Sequence, residues 1–341
     1  MSRVDMIPKP NTFLLIAALM MPMMAFSSEG DEKVFNPAEL INHHISDAHS
    51  WEIFHGFTVH LPVILYSEEK GLDVFMSSKF YDEQHKIIPY NGYDMHHEHI
   101  SSQEGTHVLD LSITKNVLFL FLDTALLILI FGSVARGYKK NAGKAPKGIQ
   151  AFFEPIIFFV RDDIAKANIG EKRYERFLPF LLTVFFFIWF GNLLGLLPGA
   201  ANLTGNISVT LVMACLTLVV TLTSGRKTYW LHIIDPLGKS MPWAGKALLY
   251  VVLWPVEIIG IFTKPFSLMV RLFANITAGH ILILSILSLA FIFKSWVVGV
   301  VGATFAMAMN LLELFVAILQ AYVFTMLSAL YFGQAVEEAH H

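Results

Sequence analysis

The sequence contains few charged residues for its length. Of 341 residues, 15% are charged and 55% are hydrophobic, and the mean hydropathy is +0.57. Soluble globular chains carry about 25% charged residues. This shortage excludes an ordinary soluble enzyme and a disordered protein, and it favours a chain that lies mostly within a lipid bilayer.

Cysteine is scarcer still, because Cys215 is the single cysteine of the chain. A disulfide framework and a cysteine-based metal site are therefore excluded. The net charge of −3 gives no sign of a nucleic-acid-binding surface. Gly238-Lys239-Ser240 resembles the end of a phosphate-binding loop, but Ile233 stands where that loop needs its first glycine. We therefore expect no cofactor and no nucleic-acid partner.

The few charges are distributed unevenly. Residues 29–115 contain 15 acidic and 5 basic residues, a net charge of −10, whereas residues 116–341 contain 11 acidic and 17 basic residues, a net charge of +6. We therefore expect an acidic, water-facing lobe at 28–115 and a membrane domain at 116–341.

The first 27 residues read as a signal peptide. Arg3 and Lys9 precede an apolar stretch at 12–26, and Ala25-Phe26-Ser27 offers small residues at the spacing of a cleavage site. An uncleaved membrane anchor is the alternative. Both interpretations send the acidic lobe across the membrane.

The lobe is rich in histidine, with ten of the fourteen in the chain. Alternating stretches such as 58–66 predict short strands within a lobe of mixed or irregular structure. The run His96-His97-Glu98-His99 suggests a metal site, but neighbouring side chains point in different directions on a helix or a strand. We therefore favour a solvated histidine-rich face over a metal site.

Three apolar segments of the membrane domain predict crossings, at 117–135, 177–197 and 206–223. The loops that follow the first and third segments are basic, which assigns them to the cytoplasm. The stretch 152–176 mixes apolar and charged residues, so we expect an amphipathic helix at the membrane surface.

Two further helices are too long to cross a bilayer upright. The apolar pattern covers 248–263, is broken at Lys264-Pro265, and continues over 266–293 and 295–332. At 1.5 Å per residue the last two segments measure about 42 Å and about 57 Å, against about 30 Å of hydrocarbon. We therefore expect a strongly tilted helical hairpin after three crossings, within an all-α polytopic membrane protein.

Arg271 is the most unusual charge in this hairpin. An arginine at the centre of a membrane helix costs about 2.5–3.5 kcal/mol on insertion scales, so its presence needs a reason. Asn275 and Ala278 follow it at one and two helical turns, and Ala274 adds a small residue that lets another helix approach. We interpret this face as a docking surface with a fixed cation; an arginine that reaches the membrane interface is the alternative.

The hairpin also contains two residues that can exchange protons. His280 lies nine positions after Arg271, on roughly the opposite side of the helix, and Glu313 shares a stripe of the last helix with Asn310 and Gln320. An arginine stays protonated at working pH, whereas histidine and glutamate can relay protons. We therefore predict a proton path with a fixed charge and two carriers; a structural ion pair between His280 and Glu313 is the alternative.

From about residue 117 to the C-terminus the sequence resembles subunit a of the F-type ATP synthase, in its bacterial form with an N-terminal extension. Three motifs carry the resemblance: Lys264-Pro265-Phe-Ser-Leu-Met-Val-Arg271-Leu-Phe-Ala-Asn275, Asn192-Leu-Leu-Gly-Leu-Leu-Pro-Gly199 and Leu319-Gln320-Ala321-Tyr-Val-Phe. Each motif alone is weakly specific, but together they are highly specific.

The resemblance implies roles for individual residues. Arg271 corresponds to the family's essential arginine, and Asn275 corresponds to the asparagine near it. Gln320 corresponds to the glutamine that faces the arginine, and Glu257 to the acid ahead of the Lys-Pro pair. His280 and Glu313 match a polar pair whose order is exchanged relative to many bacterial members. The exchange leaves open which of the two is the dominant proton carrier.

The resemblance further implies a non-catalytic subunit of the bacterial inner membrane. Two offset aqueous half-channels would bring protons to a carboxylate on the rotating c-ring, with the arginine between them, while other subunits make ATP. The implied partners are protons, lipid, the c-ring, the peripheral-stalk subunit b and other ATP synthase subunits. The lobe would be periplasmic and the C-terminus cytoplasmic.

Two other classes are less consistent with the sequence. A secondary transporter predicts an internal repeat with interrupted helices in matching places, which is not visible. A haem-binding redox subunit needs paired intramembrane histidines, whereas His280 stands alone there. The role of the lobe is open, and a proton-collecting antenna at the outer half-channel is one hypothesis.

Overall fold

The computed structural model describes residues 46–337 except 55–56, 69, 83–85, 97, 198 and 236–242, together with positions 37 and 41. At residue 54 and over 243–248 only the backbone is described. The predicted signal peptide and Gly238-Lys239-Ser240 lie outside the described residues. The described part of the chain forms a small β lobe followed by a bundle of long helices.

Short antiparallel strands form the lobe. They are β1 (Ser50–Phe54), β2 (Phe57–His60), β3 (Pro62–Ser67), β4 (Gly71–Met76), β5 (Tyr93–His96), β6 (His99–Ser102) and β7 (Val108–Asp110). β1 pairs with β2, β5 pairs with β6, and β3 lies between β4 and β7. The alternating stretch at 58–66 therefore forms strands, and the lobe has more regular structure than its sequence predicted.

The lobe has a small hydrophobic core of its own. On β3, Val63 and Leu65 point inward because side chains alternate along a strand, and both are fully buried. They pack with Phe80, Tyr93 and Met95. A core of this size stabilises a domain only marginally, so polar ties between its parts matter.

His49 connects separate parts of the lobe. Its buried ring places Nε2 3.2 Å from Oδ2 of Asp110 on β7, and Nδ1 3.4 Å from Oε2 of Glu98, between β5 and β6. Burial lowers the pKa of His49, but the hydrogen bonds and charges of Asp110 and Glu98 together outweigh it and raise the pKa to about 9. Burial raises the pKa of Asp110, and hydrogen bonds from His49 and Ser112 reverse this effect and lower it. At neutral pH the ring is therefore a cation between two carboxylates.

The membrane domain consists of long helices joined by short connections. They are α1 (Lys115–Lys140), α2 (Ile149–Phe159), α3 (Tyr174–Gly195), α4 (Ile207–Ser224), α5 (Lys227–Ile234), α6 (Trp243–Phe293) and α7 (Trp296–Val336). Five helices in the described residues, namely α1, α3, α4, α6 and α7, are long and apolar enough to cross a membrane. This confirms a polytopic, mostly helical membrane protein, while the number of crossings stays a prediction.

The predicted helix break at Lys264-Pro265 is wrong. α6 continues through Pro255 and Pro265 over 51 residues. A proline removes one backbone hydrogen bond, but the bonds on either side of it remain, and leaving the helix in lipid would unpair more backbone groups. At 1.5 Å per residue α6 is about 76 Å long, so it must tilt strongly or extend beyond the bilayer.

The stretch predicted as a surface helix is helical but divided. α2 is followed by a π-helical turn at Val160–Lys166 and a last turn at Ala167–Ile169. Within the π-helical turn, Asp162 pairs with Arg161 and with Lys166, at 2.7 Å in both cases. These charged residues distinguish the stretch from the five apolar helices. The position of the stretch at the membrane surface stays a prediction.

α3 is the most buried of the five long apolar helices in the described residues and packs through aromatic rings. Phe186 contacts Phe131 of α1 with 4.5 Å between ring centroids, and Phe177 stacks on Phe332 of α7 at 5.0 Å. Helices in lipid gain little from the hydrophobic effect between them, so close packing of large side chains carries much of their association. The high phenylalanine content therefore serves helix packing.

The lobe covers one end of the helical bundle. The ring of Trp51 on β1 packs against Phe119 on α1 with 5.2 Å between centroids. Gly199, in the connection between α3 and α4, lies directly against the backbone of Glu52. The start of α1 and the connection after α3 are therefore both held beneath the lobe.

We expect His49→Gln to destabilise the lobe by about 1–3 kcal/mol at neutral pH, because hydrogen bonds to charged groups contribute about 1.5–3 kcal/mol. The pKa of His49 is higher in the folded lobe, at about 9, than its ordinary value of 6.5. Its contribution is therefore complete below about pH 6.5 and is lost as the pH rises through about 9. Hydrogen–deuterium exchange of lobe amides in the purified chain measures the effect, with exposed His107→Gln as control. Equal exchange of His49→Gln and the unaltered chain at about pH 6 would contradict this prediction.

Candidate functional site

Arg271 lies on an exposed face of α6 formed by small and polar residues. Arg271, Ala274, Asn275 and Ala278 are exposed, whereas the intervening Leu272 is buried. Within the described residues, the guanidinium has no hydrogen bond or ion pair. Since an uncompensated charge is costly in a bilayer, this exposed face is a candidate contact surface for a negatively charged group.

On another side of the same helix, His280 contacts Glu313 of α7. Nδ1 of His280 lies 3.2 Å from Oε1 of Glu313, and the two side chains are 21% and 5% exposed. Gly279 makes room for the carboxylate, because a Cβ added there would collide with Oε1. α6 and α7 therefore meet at a point where one supplies an imidazole and the other an acid.

A second hydrogen bond fixes the tautomer of His280. Its Nε2 lies 3.3 Å from Nδ2 of Asn202, whose side-chain oxygen accepts the backbone N–H of Gly205 at 3.3 Å. The amide nitrogen of Asn202 therefore donates to Nε2, so that Nδ1 carries the ring proton and donates it to Glu313. In this arrangement His280 is oriented towards the carboxylate of Glu313 by hydrogen bonds on both of its ring nitrogens.

The polar contacts continue from Asn202 into the bundle. The hydroxyl of Thr204 lies within hydrogen-bonding reach of the side-chain oxygens of Asn192 and Asn202. The amide of Asn192 donates to the carbonyl of Ala317 at 3.4 Å, which links α3 to α7. We define the buried polar network as Asn192, Asn202, Thr204, His280 and Glu313.

Sequence analysis missed Asn192, Asn202 and Thr204 as site residues, and it also missed Asp123 in α1. Asp123 is fully buried, and neither carboxylate oxygen has a hydrogen-bond partner in the described part of the chain. A signal for it exists in the sequence, since an acid within a predicted crossing is a functional candidate by default. The three uncharged residues carry no comparable signal, because polar side chains in connections and at helix ends are common.

The predicted stripe of α7 divides between different surroundings. Glu313 and Gln320 are buried and Asn310 is half-buried. No hydrogen bond joins Gln320 to Arg271 among the described residues, because Gln320 lies inside the bundle while Arg271 faces outward. The structure thus brings His280 and Glu313 together but keeps the arginine apart from them.

Glu257 occupies a more distant position on α6. It is half-buried and lies 23 residues before His280, about 35 Å along the helix axis. Two turns after it, Nζ of Lys264 donates to Oε1 of Gln334 on α7 at 2.9 Å. The part of α6 around Lys264 therefore runs beside the C-terminal end of α7, and Glu257 lies two turns before it.

The histidines of the lobe do not converge on a metal site in the described residues, where no three metal-ligating side chains come together. His96 and His99 pair across β5 and β6 and are exposed, while His97 lies outside the described residues. The solvated histidine-rich face stays a prediction, because five of the ten histidines lie outside the described residues and His49 is buried.

The fold and the buried site together define a class, that of a polytopic membrane protein with ionisable side chains buried among its helices. Within that class, residues 117–333 match the ATP synthase A chain family. The chain therefore belongs to this family. Residues 40–118, which cover most of the lobe, match a domain family of unknown function.

Curated relatives extend the similarity beyond the membrane helices. The "ATP synthase subunit a" of Chloroherpeton thalassium is 47% identical over 233 residues, covering 68% of this chain and 69% of the relative. The "ATP synthase subunit a 2" of Chlorobaculum tepidum is 45% identical over 272 residues, covering 79% and 74%. The "ATP synthase subunit a" of Chlorobium phaeobacteroides strain DSM 266 is 41% identical over 300 residues, covering 86% and 82%, which includes part of the lobe.

We expect Gly279→Ala to lower proton conduction by at least about tenfold, because its Cβ would displace the Glu313 carboxylate from His280. Gly260→Ala on the same helix is the matched control, since a Cβ there meets nothing within 4 Å. Passive proton flux through membranes stripped of the soluble head measures both variants. Normal flux in Gly279→Ala would contradict the importance of this contact.

Proposed function

We propose that the chain is the proton-translocating membrane subunit of a rotary ATP synthase, with no ATP chemistry of its own. One observation carries this proposal: among the described residues Arg271 has no hydrogen bond or ion pair and lies on an exposed face of α6, while His280 on the same helix is paired with buried Glu313. The two groups suit separate tasks. The fixed cation faces a partner and stabilises a carboxylate on it, whereas the His280–Glu313 pair faces inward and moves protons.

Arg271 keeps a carboxylate of the rotating c-ring ionised as that carboxylate passes. Ala274 and Ala278 allow a helix of the ring to approach closely, and Asn275 adds an amide one turn away. An arginine does not release its proton at working pH. It therefore separates the outer and inner half-channels and prevents protons from passing directly between them.

The buried polar network forms the outer half-channel. His280 already donates from Nδ1 to Oε1 of Glu313, and Oε2 of Glu313 is buried without a hydrogen-bond partner among the described residues. A proton that arrives can therefore be accepted at Oε2 while Oε1 stays hydrogen-bonded to His280. Because the two side chains contact each other directly, the same pair forms whichever of the two helices supplies the acid.

The inner half-channel uses the part of α6 that precedes Arg271. Glu257 lies there, well removed along the helix from the outer pair. Gln320 lies seven residues after Glu313 on the buried stripe of α7, where its amide can hydrogen-bond without carrying a charge. We assign Glu257 to proton release and Gln320 to positioning.

The orientation follows from the basic segments. Arg136 and Lys139 mark the end of α1 as cytoplasmic, so the lobe at its start is periplasmic and 1–27 is its export signal. The backbone N–H of Arg226, after α4, donates to the carbonyl of Ala335 at 2.9 Å, and this contact between the basic segment and the end of α7 supports a cytoplasmic C-terminus. The chain thus resides in a bacterial inner membrane, with the c-ring on its Arg271 face and the peripheral-stalk subunit b among its other partners.

We expect Arg271→Ala to lower ATP-driven proton pumping by more than about a hundredfold, while the detached soluble head keeps its ATPase activity. Arg271→Lys should fail as well, because an ammonium shifts its pKa readily and lacks the planar guanidinium fork. Fluorescence quenching in inverted vesicles measures pumping, and Lys294→Gln, at the end of the same helix, is the control. Intact pumping in Arg271→Ala would refute the proposed function.

We also propose that the lobe collects protons for the outer half-channel, since it covers the connection that carries Asn202. Replacing the exposed His96, His99 and His107 by Gln should lower the rate of ATP synthesis about twofold between about pH 6 and 8, where histidines change charge. Lys79→Gln, also exposed, is the control. An unchanged rate over this pH range would remove the antenna role.

A further inference from the structure

Asp123 is a buried acid that the proposed proton path does not include. It lies eight residues after Lys115, the first residue of α1, and so about 12 Å along the helix from the lobe end. Its side chain is 0% exposed, and both carboxylate oxygens lack a hydrogen-bond partner within the described residues. A buried carboxyl of this kind is costly as an ion, so packing alone does not account for it.

The elements packed against Asp123 offer it no countercharge. α1 contacts α2, α3 and the turn at Leu203–Gly205. The sequence contains no Asp, Glu, Lys, Arg or His between Arg176 and Arg226, and the one charged residue of α2, Glu154, is an acid and so supplies no cation. On α1 itself, the nearest charged residue is Lys115, more than two turns away at the lobe end. Asp123 therefore holds its proton when no acceptor is near and releases it only towards a neighbouring proton acceptor.

Asp123 borders the buried polar network. A Cβ added at Gly191 of α3 would lie 3.7 Å from Oδ2 of Asp123 and 3.4 Å from Cδ1 of Leu203. Gly191 directly precedes Asn192, and Leu203 directly precedes Thr204. The carboxyl group therefore lies beside Gly191 and Leu203, the residues that directly precede two members of the network.

Unsatisfied polar atoms gather around the same network. Oε2 of Glu313 and Oγ1 of Thr277 are buried without a hydrogen-bond partner in the described part, as are both oxygens of Asp123. Thr277 is near the network too, since a Cβ added at Gly205 would lie 3.7 Å from its Oγ1. Because native interiors satisfy nearly all buried polar atoms, such a cluster indicates a functional path.

We propose that Asp123 is the proton-carrying residue at the lobe end of the outer half-channel, which takes protons from the periplasmic side and passes them to the His280–Glu313 pair. This inference rests on the proposed function. The Asp123 carboxylic acid gives its proton to a water molecule held by Thr204 and the neighbouring amides. That water gives one of its own protons to Oε2 of Glu313, and the Asp123 carboxylate is reprotonated from the lobe side.

The alternative is a structural role, in which a neutral acid merely fills space beside α3. Asp123→Asn separates the two, because asparagine keeps the size and hydrogen-bonding capacity of the acid but cannot ionise. Asp123→Glu keeps the acid on a longer side chain. Thr124→Val is the matched control, since Thr124 is the next residue of α1 and is exposed on the outside of the bundle.

The test uses the assembled ATP synthase in proteoliposomes with the lobe facing the lumen. The rate of ATP synthesis after an acid–base jump is measured while the luminal pH is varied from about pH 5 to about pH 8. We expect Asp123→Asn to lower the rate by at least about tenfold and to change its dependence on luminal pH. Asp123→Glu should retain synthesis with a displaced pH profile, and Thr124→Val should match the unaltered chain.

A structural role gives a different result, either an unchanged rate in Asp123→Asn or one loss factor at every pH, and both results overturn the proposal. If the Asp123→Asn complex does not assemble, the Asp123→Glu complex decides, and an unaltered pH profile there overturns the proposal. Arg271→Ala separates the two levels of inference. If the Arg271→Ala complex still pumps protons, the proposed function is wrong. If the Arg271→Ala complex does not pump but the Asp123→Asn complex synthesises ATP at the normal rate, only the role of Asp123 is wrong.

Discussion

The hydrogen bond between His280 and Glu313 joins two helices that are both longer than a bilayer is thick. Either side chain would be costly if it faced lipid, so the pair determines which sides of α6 and α7 meet. Gly279 permits the approach because it leaves space for the carboxylate. Once this contact sets the rotation of α6, the helical period turns Arg271 to an exposed side. The separation of a fixed charge from a titratable pair thus depends on one interhelical contact.

The lobe and the connection between α3 and α4 meet at the same end of the helical bundle. Trp51 packs on α1 and Gly199 lies against the backbone of β1, so the connection between α3 and α4 is held beneath the lobe. That connection supplies Asn202, which fixes the tautomer of His280. A polar loop at this depth is tolerable because protein rather than lipid surrounds it. The His49 cation between Glu98 and Asp110 holds together the small lobe that provides this cover.

Much of the architecture could be predicted because the underlying signals are local. Long apolar runs identified the membrane helices, basic loops suggested their orientation, and the spacing of Arg271, Asn275 and Ala278 predicted one exposed face. The predicted helix break at Pro265 was wrong, because a proline removes one backbone hydrogen bond whereas an interrupted helix in apolar surroundings would lose several. Asn202 and Thr204 could not be predicted, since the importance of an uncharged loop residue depends on which side chains the fold brings to it.

The sequence by itself determined the class of protein, the family and the scarce charges that matter, because each charge in an apolar segment is costly and therefore informative. Only the tertiary structure decided how those charges are grouped. It joined His280 to Glu313, separated Gln320 from Arg271, and placed Asp123 beside Gly191 and Leu203. The physical reason is that helical periodicity assigns a residue to a face, whereas its partners come from distant segments, as with Asn192 and Ala317, which are 125 residues apart.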